Sequence, residues 1–154
     1  GLAHMSKMIS QQILRIGDPG FTKLNRFLTP AEGAVIAYGT IQKTVSYLDT
    51  ENRMYANPCS LDFLSMAGHI EDTASNSTMA AANMRKIIDN LYYMAAIELM
   101  HAAQAVDLRE IPQLGEGTKP LFEAYRKKVP YLDNDRNMSV DIQKTYEFLK
   151  SYKA

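Results

Sequence analysis

The sequence predicts an all-α protein, a bundle of long antiparallel helices followed by shorter C-terminal ones. Three observations carry that prediction. Apolar residues recur at steps of three and four in several windows, no segment alternates with the period of a strand, and between Asn90 and Val106 the only formal charge is Glu98. A helix apolar on nearly all sides has to be enclosed by other helices. The 154 residues suit one domain, and a hydrophobic content of 46% is ample for its core.

Gly1 to His4, ahead of Met5, have the look of an expression scar, which leaves residues 5–154 as a single helical domain. Met8, Ile9, Ile13 and Ile16 give a first helix over Lys7 to Ile16, stopped by Gly17-Asp18-Pro19-Gly20. Thr29 as N-cap and Pro30 at the first helical position open a second helix, which Val35, Ile36, Tyr38, Ile41, Val45 and Leu48 carry toward Asn52. Pro58, Gly68 and the small residues between them make Tyr55 to Gly68 an ordered but irregular crossing, the kind of segment that carries function. A third helix begins near Asp72 or Ser75 and runs to Asp107, roughly 50 Å at about 1.5 Å per residue. Its Met84, Ile87, Leu91 and Met94 form the stripe of a bundle. Gly115 and Gly117 mark a loop, a fourth helix covers Lys119 to Lys128 until Pro130 ends it, and a fifth covers Val140 to Tyr152.

Seventeen basic residues balance seventeen acidic ones, so bulk charge points to neither nucleic acid nor a membrane surface. The apolar run after Asp89 is about 17 residues with a glutamate at its centre, short of the roughly 20 that a membrane span needs. The single cysteine, Cys59, rules out an internal disulfide and, with no signal-like N-terminus, fits the cytoplasm. A buried, unreactive thiol is its expected role.

Two groups of residues have chemical potential. Glu98 and His101 form an E-x-x-H pair, the arrangement of di-iron carboxylate bundles, but such a site needs a second E-x-x-H and two further glutamates. The sequence holds no second E-x-x-H, so no metal is expected and Glu98 is read as a buried, hydrogen-bonded glutamate. The stronger group is Gly68-His69-Ile70-Glu71-Asp72, in which one imidazole and two carboxylates directly precede a helix whose N-terminus favours negative charge. Asp72 suits a helix cap and His69 a structural histidine, while Glu71 sits at the inner end of the crossing and not on a repeating solvent face. No nucleophile elbow, phosphate loop or cysteine-rich metal spacing is present.

Taken in order, these residues resemble the aromatic amino-acid ammonia-lyase family, and its histidine ammonia-lyase branch most of all. Asn57-Pro58-Cys59-Ser60-Leu61-Asp62, followed by Glu71-Asp72, resembles the family's Pro-x-Ser-x-Asp stretch and Gln-Glu-Asp motif. Ala96-Ile97-Glu98-Leu99 and Ala102-Ala103-Gln104-Ala105-Val106-Asp107-Leu108-Arg109 are similar to its Ile-Glu and Ala-Gln-Ala-x-Asp-Leu-Arg run. Further matches lie at Phe27-Leu28-Thr29-Pro30, at Ser46 to Asn52, and from Tyr125-Arg126 through Val129-Pro130 to Asp135-Arg136. The similarity covers almost the whole chain and ends where the family ends.

The resemblance implies that this is the C-terminal part of a longer lyase. Family members are about three times this length, and their electrophile, a methylidene-imidazolone ring, forms from an Ala-Ser-Gly triad in the earlier part of the chain. No Ala-Ser-Gly occurs here, so the cofactor is expected in the missing N-terminal part and none in this chain; Ala74-Ser75-Asn76 is a near miss that reads as a helix start. In such an enzyme the ring captures the amino group of a small-molecule amino acid, a base removes a β-proton, and ammonia leaves to give an arylacrylate such as urocanate. Glu71 matches the glutamate facing the substrate side chain, where a carboxylate holds an imidazole by a charge-assisted hydrogen bond. It is therefore the candidate catalytic and substrate-binding residue, with His69 and Ile70 beside it in the substrate site.

Phenylalanine- and tyrosine-specific relatives tend to carry glutamine at the position of Glu71, which favours histidine as substrate. Ile70 stands where histidine lyases usually have glutamine, Thr73 where many have histidine, and His69 is closer to the phenylalanine-type pattern. Without the Ala-Ser-Gly electrophile this part alone is expected to be inactive, and because the family builds homotetramers with sites shared among subunits it is expected to self-associate through its long helices. An aromatic amino-acid aminomutase and a non-catalytic helical scaffold are the alternatives.

Overall fold

The computed structural model describes residues 1–61, 63–71, 73–109 and 113–152. It is all-α, as the sequence predicts. The helices are α1 (Leu2–Ile16), α2 (Pro19–Thr22), α3 (Ile41–Tyr55), α4 (Ser77–Asp107), α5 (Thr118–Arg126) and α6 (Met138–Ser151), joined in part by single 3-10 turns at Arg26–Leu28, Ala37–Gly39 and Cys59–Leu61. The 31 residues of α4 make an axis of about 46 Å. Against it pack α1, α3 and α6. Ile13 of α1, Val45 of α3, Met94, Ile97 and Met100 of α4, and Phe148 of α6 meet in one core. Tyr125 of α5 is buried there too, its hydroxyl paired with that of Thr145 at 3.1 Å. No helix among the described residues is long and apolar enough to cross a membrane.

Helix α1 starts earlier than its apolar stripe requires and takes in Leu2, Ala3 and His4. Ser6 Oγ, 2.9 Å from Ala3 O, donates to Asp49 Oδ1 of α3 at 2.7 Å, and Arg53 pairs with the second carboxylate oxygen. Burial pushes the Asp49 carboxyl up, but these donors outweigh it and hold the group below its usual range. A buried charge is thus satisfied where two helices cross.

One expected element has a different shape. Thr29 and Pro30 do not open a long helix, and the chain from Pro30 to Thr40 is a series of turns. Thr29 Oγ1 donates to Val35 O at 2.7 Å instead of capping a helix, and Gly33 and Ala37 take positive φ of 79° and 51°. The decisive partner is distant in sequence. Asp135 accepts the amides of Ile36 at 3.0 Å and Ala37 at 2.9 Å, so these donors have no need of a preceding helical turn. Helix α3 therefore begins only at Ile41, and Ile36, expected on its apolar face, is exposed.

The end of α4 is fixed by Gln104 and Asp107 of the Ala-Gln-Ala-x-Asp-Leu-Arg run and by His101 just ahead of it. Gln104 is fully buried; its amide donates to Leu132 O (3.0 Å) and Leu28 O (3.4 Å) and accepts Leu132 N–H (3.1 Å). Asp107 pairs with Arg126 of α5. His101 donates through Nδ1 to Ile97 O at 2.8 Å and packs its ring 4.4 Å from that of Tyr38. These residues hold the bundle together.

Candidate functional site

The segment between α3 and α4 is irregular but closely tied. Asn76 Nδ2 donates to Cys59 O at 2.8 Å, and Asn83 Nδ2 approaches Cys59 Sγ at 3.5 Å, which joins the 3-10 turn at Cys59–Leu61 to the start of α4. The Cys59 thiol is thereby half-buried, less enclosed than the sequence suggests. Helix α4 starts at Ser77, after the predicted Asp72 or Ser75, because Asn76 occupies the left-handed region at φ 48°. Asp72 and its predicted cap lie outside the described residues, as does Asp62.

The three sequence-predicted site residues share one tight turn. Met66 N–H donates to Glu71 O at 2.9 Å and Glu71 N–H to Met66 O at 3.2 Å, while His69 N–H also reaches Met66 O at 3.1 Å. Closing so short a loop requires consecutive left-handed residues, Ala67, Gly68 and His69, at φ of 51°, 66° and 70°. Glycine takes this conformation at no steric cost, whereas alanine and histidine each store on the order of 1 kcal/mol or more. Such strain marks a loop whose shape is specified. Ser65 Oγ lies 3.1 Å from His69 Nδ1 and orients the ring.

The side chains on this turn face away from the core. Ile70 is 84% exposed, and Leu61 and Leu64 nearby are 74% and 79% exposed. The Glu71 carboxylate has no hydrogen-bond or ionic partner among the described residues and keeps its acceptor capacity for a ligand. Chemically, a carboxylate on such a turn, flanked by uncovered apolar side chains, can accept a hydrogen bond from a donor with an apolar body. A groove of about 680 Å³ beside Phe27, Val35 and Ile36 is a separate feature.

Glu98 and His101 do not come together as metal ligands. The His101 ring is 1% exposed and turned onto Tyr38, and burial lowers its pKa to about 4 against the pull of its bond to Ile97 O. Glu98 is half-buried without a hydrogen-bond partner among the described residues, where the sequence suggested a fully bonded one. No group of three or more His, Cys, Asp or Glu among the described residues is placed to hold a metal. Ala74-Ser75-Asn76 leads into α4, with Asn76 tied to Cys59 O.

The profile of the aromatic amino acid lyase family matches residues 1–127. The chain belongs to that family. A histidine ammonia-lyase from Geobacillus sp. (strain WCH70) is 34% identical over 97% of the chain, and the chain spans 29% of that protein. Among solved structures, the ergothioneine-degrading enzyme ergothionase from Treponema denticola, in complex with desmethyl-ergothioneine sulfonic acid, is 52% identical with a TM-score of 0.92; the match covers 97% of this chain and 30% of that one. The phenylalanine aminomutase from Pantoea agglomerans is 29% identical with a TM-score of 0.89, over 96% of this chain and 29% of that one. The chain thus spans about 30% of the length of the relatives it matches.

Proposed function

We propose that this chain is the C-terminal part of a carbon–nitrogen lyase acting on an imidazole-bearing amino acid, with ergothioneine, the betaine of 2-thiohistidine, ahead of histidine as substrate. The observation that carries the order is the identity of 52% to ergothionase against 34% to a histidine ammonia-lyase. In this reading Glu71 accepts a hydrogen bond from the imidazole N–H, His69 and Ile70 line the same wall, and the reaction breaks the Cα–N bond as a base takes a β-proton. Trimethylamine leaves from the betaine, or ammonia from histidine, and an α,β-unsaturated acid remains. A quaternary nitrogen has no lone pair for an electrophile to capture and departs as a neutral amine, so a betaine asks chiefly for a β-proton base and for groups that hold its imidazole and carboxylate.

The departures from the histidine-lyase pattern at His69, Ile70 and Thr73 agree with a substrate other than histidine. We place the enzyme in the cytoplasm as a homo-oligomer; this chain by itself does not turn substrate over, because the base and the carboxylate-binding groups lie outside it. The test uses the complete protein with ergothioneine, histidine and phenylalanine, following amine release and the near-ultraviolet absorbance of the conjugated product. Glu71→Gln should lower kcat/KM for the imidazole substrate by about 100-fold, the cost of one charge-assisted hydrogen bond of roughly 3 kcal/mol. Turnover of histidine but not ergothioneine would overturn the substrate order, and a β-amino acid product would make the protein an aminomutase.

A further inference from the structure

Two side chains on the turn from Met66 to Glu71 keep complementary hydrogen-bonding groups that find no partner among the described residues. One is the Glu71 carboxylate, an acceptor. The other is the exposed His69 ring, which is bonded at Nδ1 to Ser65 Oγ (3.1 Å) and keeps Nε2 for something else. A single atom sets their spacing, because Met66 O accepts both the His69 N–H at 3.1 Å and the Glu71 N–H at 3.2 Å. Two residues apart, the pair is separated by at most about 7 Å of backbone, so both side chains can reach one small ring.

A ring that meets an acceptor and a donor side by side must offer the opposite pair. The 2-thioimidazole ring in its thione form does so on neighbouring atoms: both nitrogens carry protons, and the sulfur on the carbon between them is the acceptor. The ring of histidine has only a hydrogen on that carbon, so a donor held out for the sulfur would be left unpaired there, at a cost. Sulfur is also large, soft and weakly hydrated, which suits the uncovered apolar side chains of the turn, Met66 at 48% and Ile70 at 84% exposed.

We propose that His69 reads the sulfur of a 2-thioimidazole substrate, its Nε2–H donating to the thione while Glu71 accepts the neighbouring ring N–H. Ser65 is a positioning residue in this arrangement. Its hydroxyl donates to Nδ1, which places the imidazole proton on Nε2 and fixes the plane of the ring. The inference rests on the function proposed above and deepens it. Glu71 asks for an imidazole N–H, and His69 decides which imidazole.

The test uses the complete protein and two betaines that differ only in the sulfur, ergothioneine and the trimethylbetaine of histidine, with amine release as the readout. The unaltered protein should prefer the thione by about tenfold or more in kcat/KM, and His69→Phe, which keeps a ring and removes the donor, should abolish most of that preference. Ser65→Ala should lower the preference about threefold, and Ser65→Thr, which keeps the hydroxyl, should restore it. Circular dichroism checks folding; if His69→Phe does not fold, His69→Asn replaces it, because asparagine tolerates the left-handed backbone at φ 70° and its side chain is too short to reach the sulfur. Calorimetric binding of 2-mercaptoimidazole and of imidazole reads the same contact without turnover, and the thione should bind about tenfold tighter only while His69 is present. An unchanged preference in the His69 variants, an equal loss on both betaines, which would tie His69 to the rest of the polypeptide and not to the sulfur, or equal binding of the two free rings would each overturn the proposal and leave the lyase reading intact. Turnover of histidine alone would instead overturn the substrate order proposed above, and the two free rings would then decide the role of His69.

Discussion

Replacing Gln104 by methionine should cost the chain about 3 kcal/mol of stability, because one amide satisfies three backbone groups in a fully buried place. Methionine matches the volume and leaves no large cavity, so the loss isolates hydrogen bonding. Leu132 N–H and C=O lose partners at 3.1 and 3.0 Å, and Leu28 C=O loses a weaker one at 3.4 Å. Each orphaned group costs about 1–3 kcal/mol, and transfer of apolar atoms to the core returns about 1 kcal/mol, which leaves the figure above. Against a typical stability of about 5–15 kcal/mol the effect is large. Urea unfolding at fixed protein concentration should show the midpoint falling by about 1–2 M with an unchanged slope, and the melting temperature dropping by about 6–12 °C. A loss below about 1 kcal/mol would refute the reasoning, since it would mean that water reaches Leu132 or that the 28 and 132 segments are held by something else.

The remaining predictions concern pH and the loop that Asp135 holds. His101 stays neutral in the folded chain down to about pH 4, whereas in the unfolded chain it takes up a proton near its ordinary 6.5. Between those values the unfolded state binds more protons, so stability falls by about 3 kcal/mol on acidification through the window and levels off below it. His101→Phe should flatten that part of a stability-versus-pH curve; an unchanged slope would mean that another group titrates there. Asp135→Ala should leave the amides of Ile36 and Ala37 without acceptors, and hydrogen exchange at these two should quicken by about tenfold or more while amides within α3 keep their protection. Unchanged exchange at Ile36 and Ala37 would show that Asp135 does not set the course of the 30–40 segment.

The parts of the fold legible in the sequence are those governed by short-range periodicity. The apolar spacing of Ile9, Ile13 and Ile16, of Ile87 and Met94, and the breaks at Gly17, Gly115 and Pro130 mark α1, α4 and the α5 boundary to within a few residues. The second helix was misplaced at its start because Thr29 and Pro30 carry a sound local signal that a partner about a hundred residues away overrides. No window of sequence contains the fact that Asp135 will meet Ile36 N–H. The positive φ angles at Phe27, Leu28 and Ala37 were equally hidden, since none of these residues favours the left-handed region. In the candidate site, residue type and order pointed to Glu71, His69 and Ile70, but the strained turn that aims them depends on the Met66 and Glu71 backbone pairing.

The family's motifs divide into two kinds of work that one-dimensional matching does not separate. Gln104, Asp107 and His101 turn inward and spend their polar atoms on backbone carbonyls, on Arg126 and on the core, so their chemistry is consumed by the fold. Glu71 and Glu98 keep theirs, and both lie where this chain offers no donor among the described residues. The half-buried Glu98 carboxylate carries a desolvation cost that the exposed Glu71 carboxylate does not. The two differ in their surroundings: Glu71 stands on an exposed turn, whereas Glu98 is half-buried on α4. The E-x-x-H pair is thus split between a histidine spent on the core and a half-buried glutamate without a hydrogen-bond partner among the described residues.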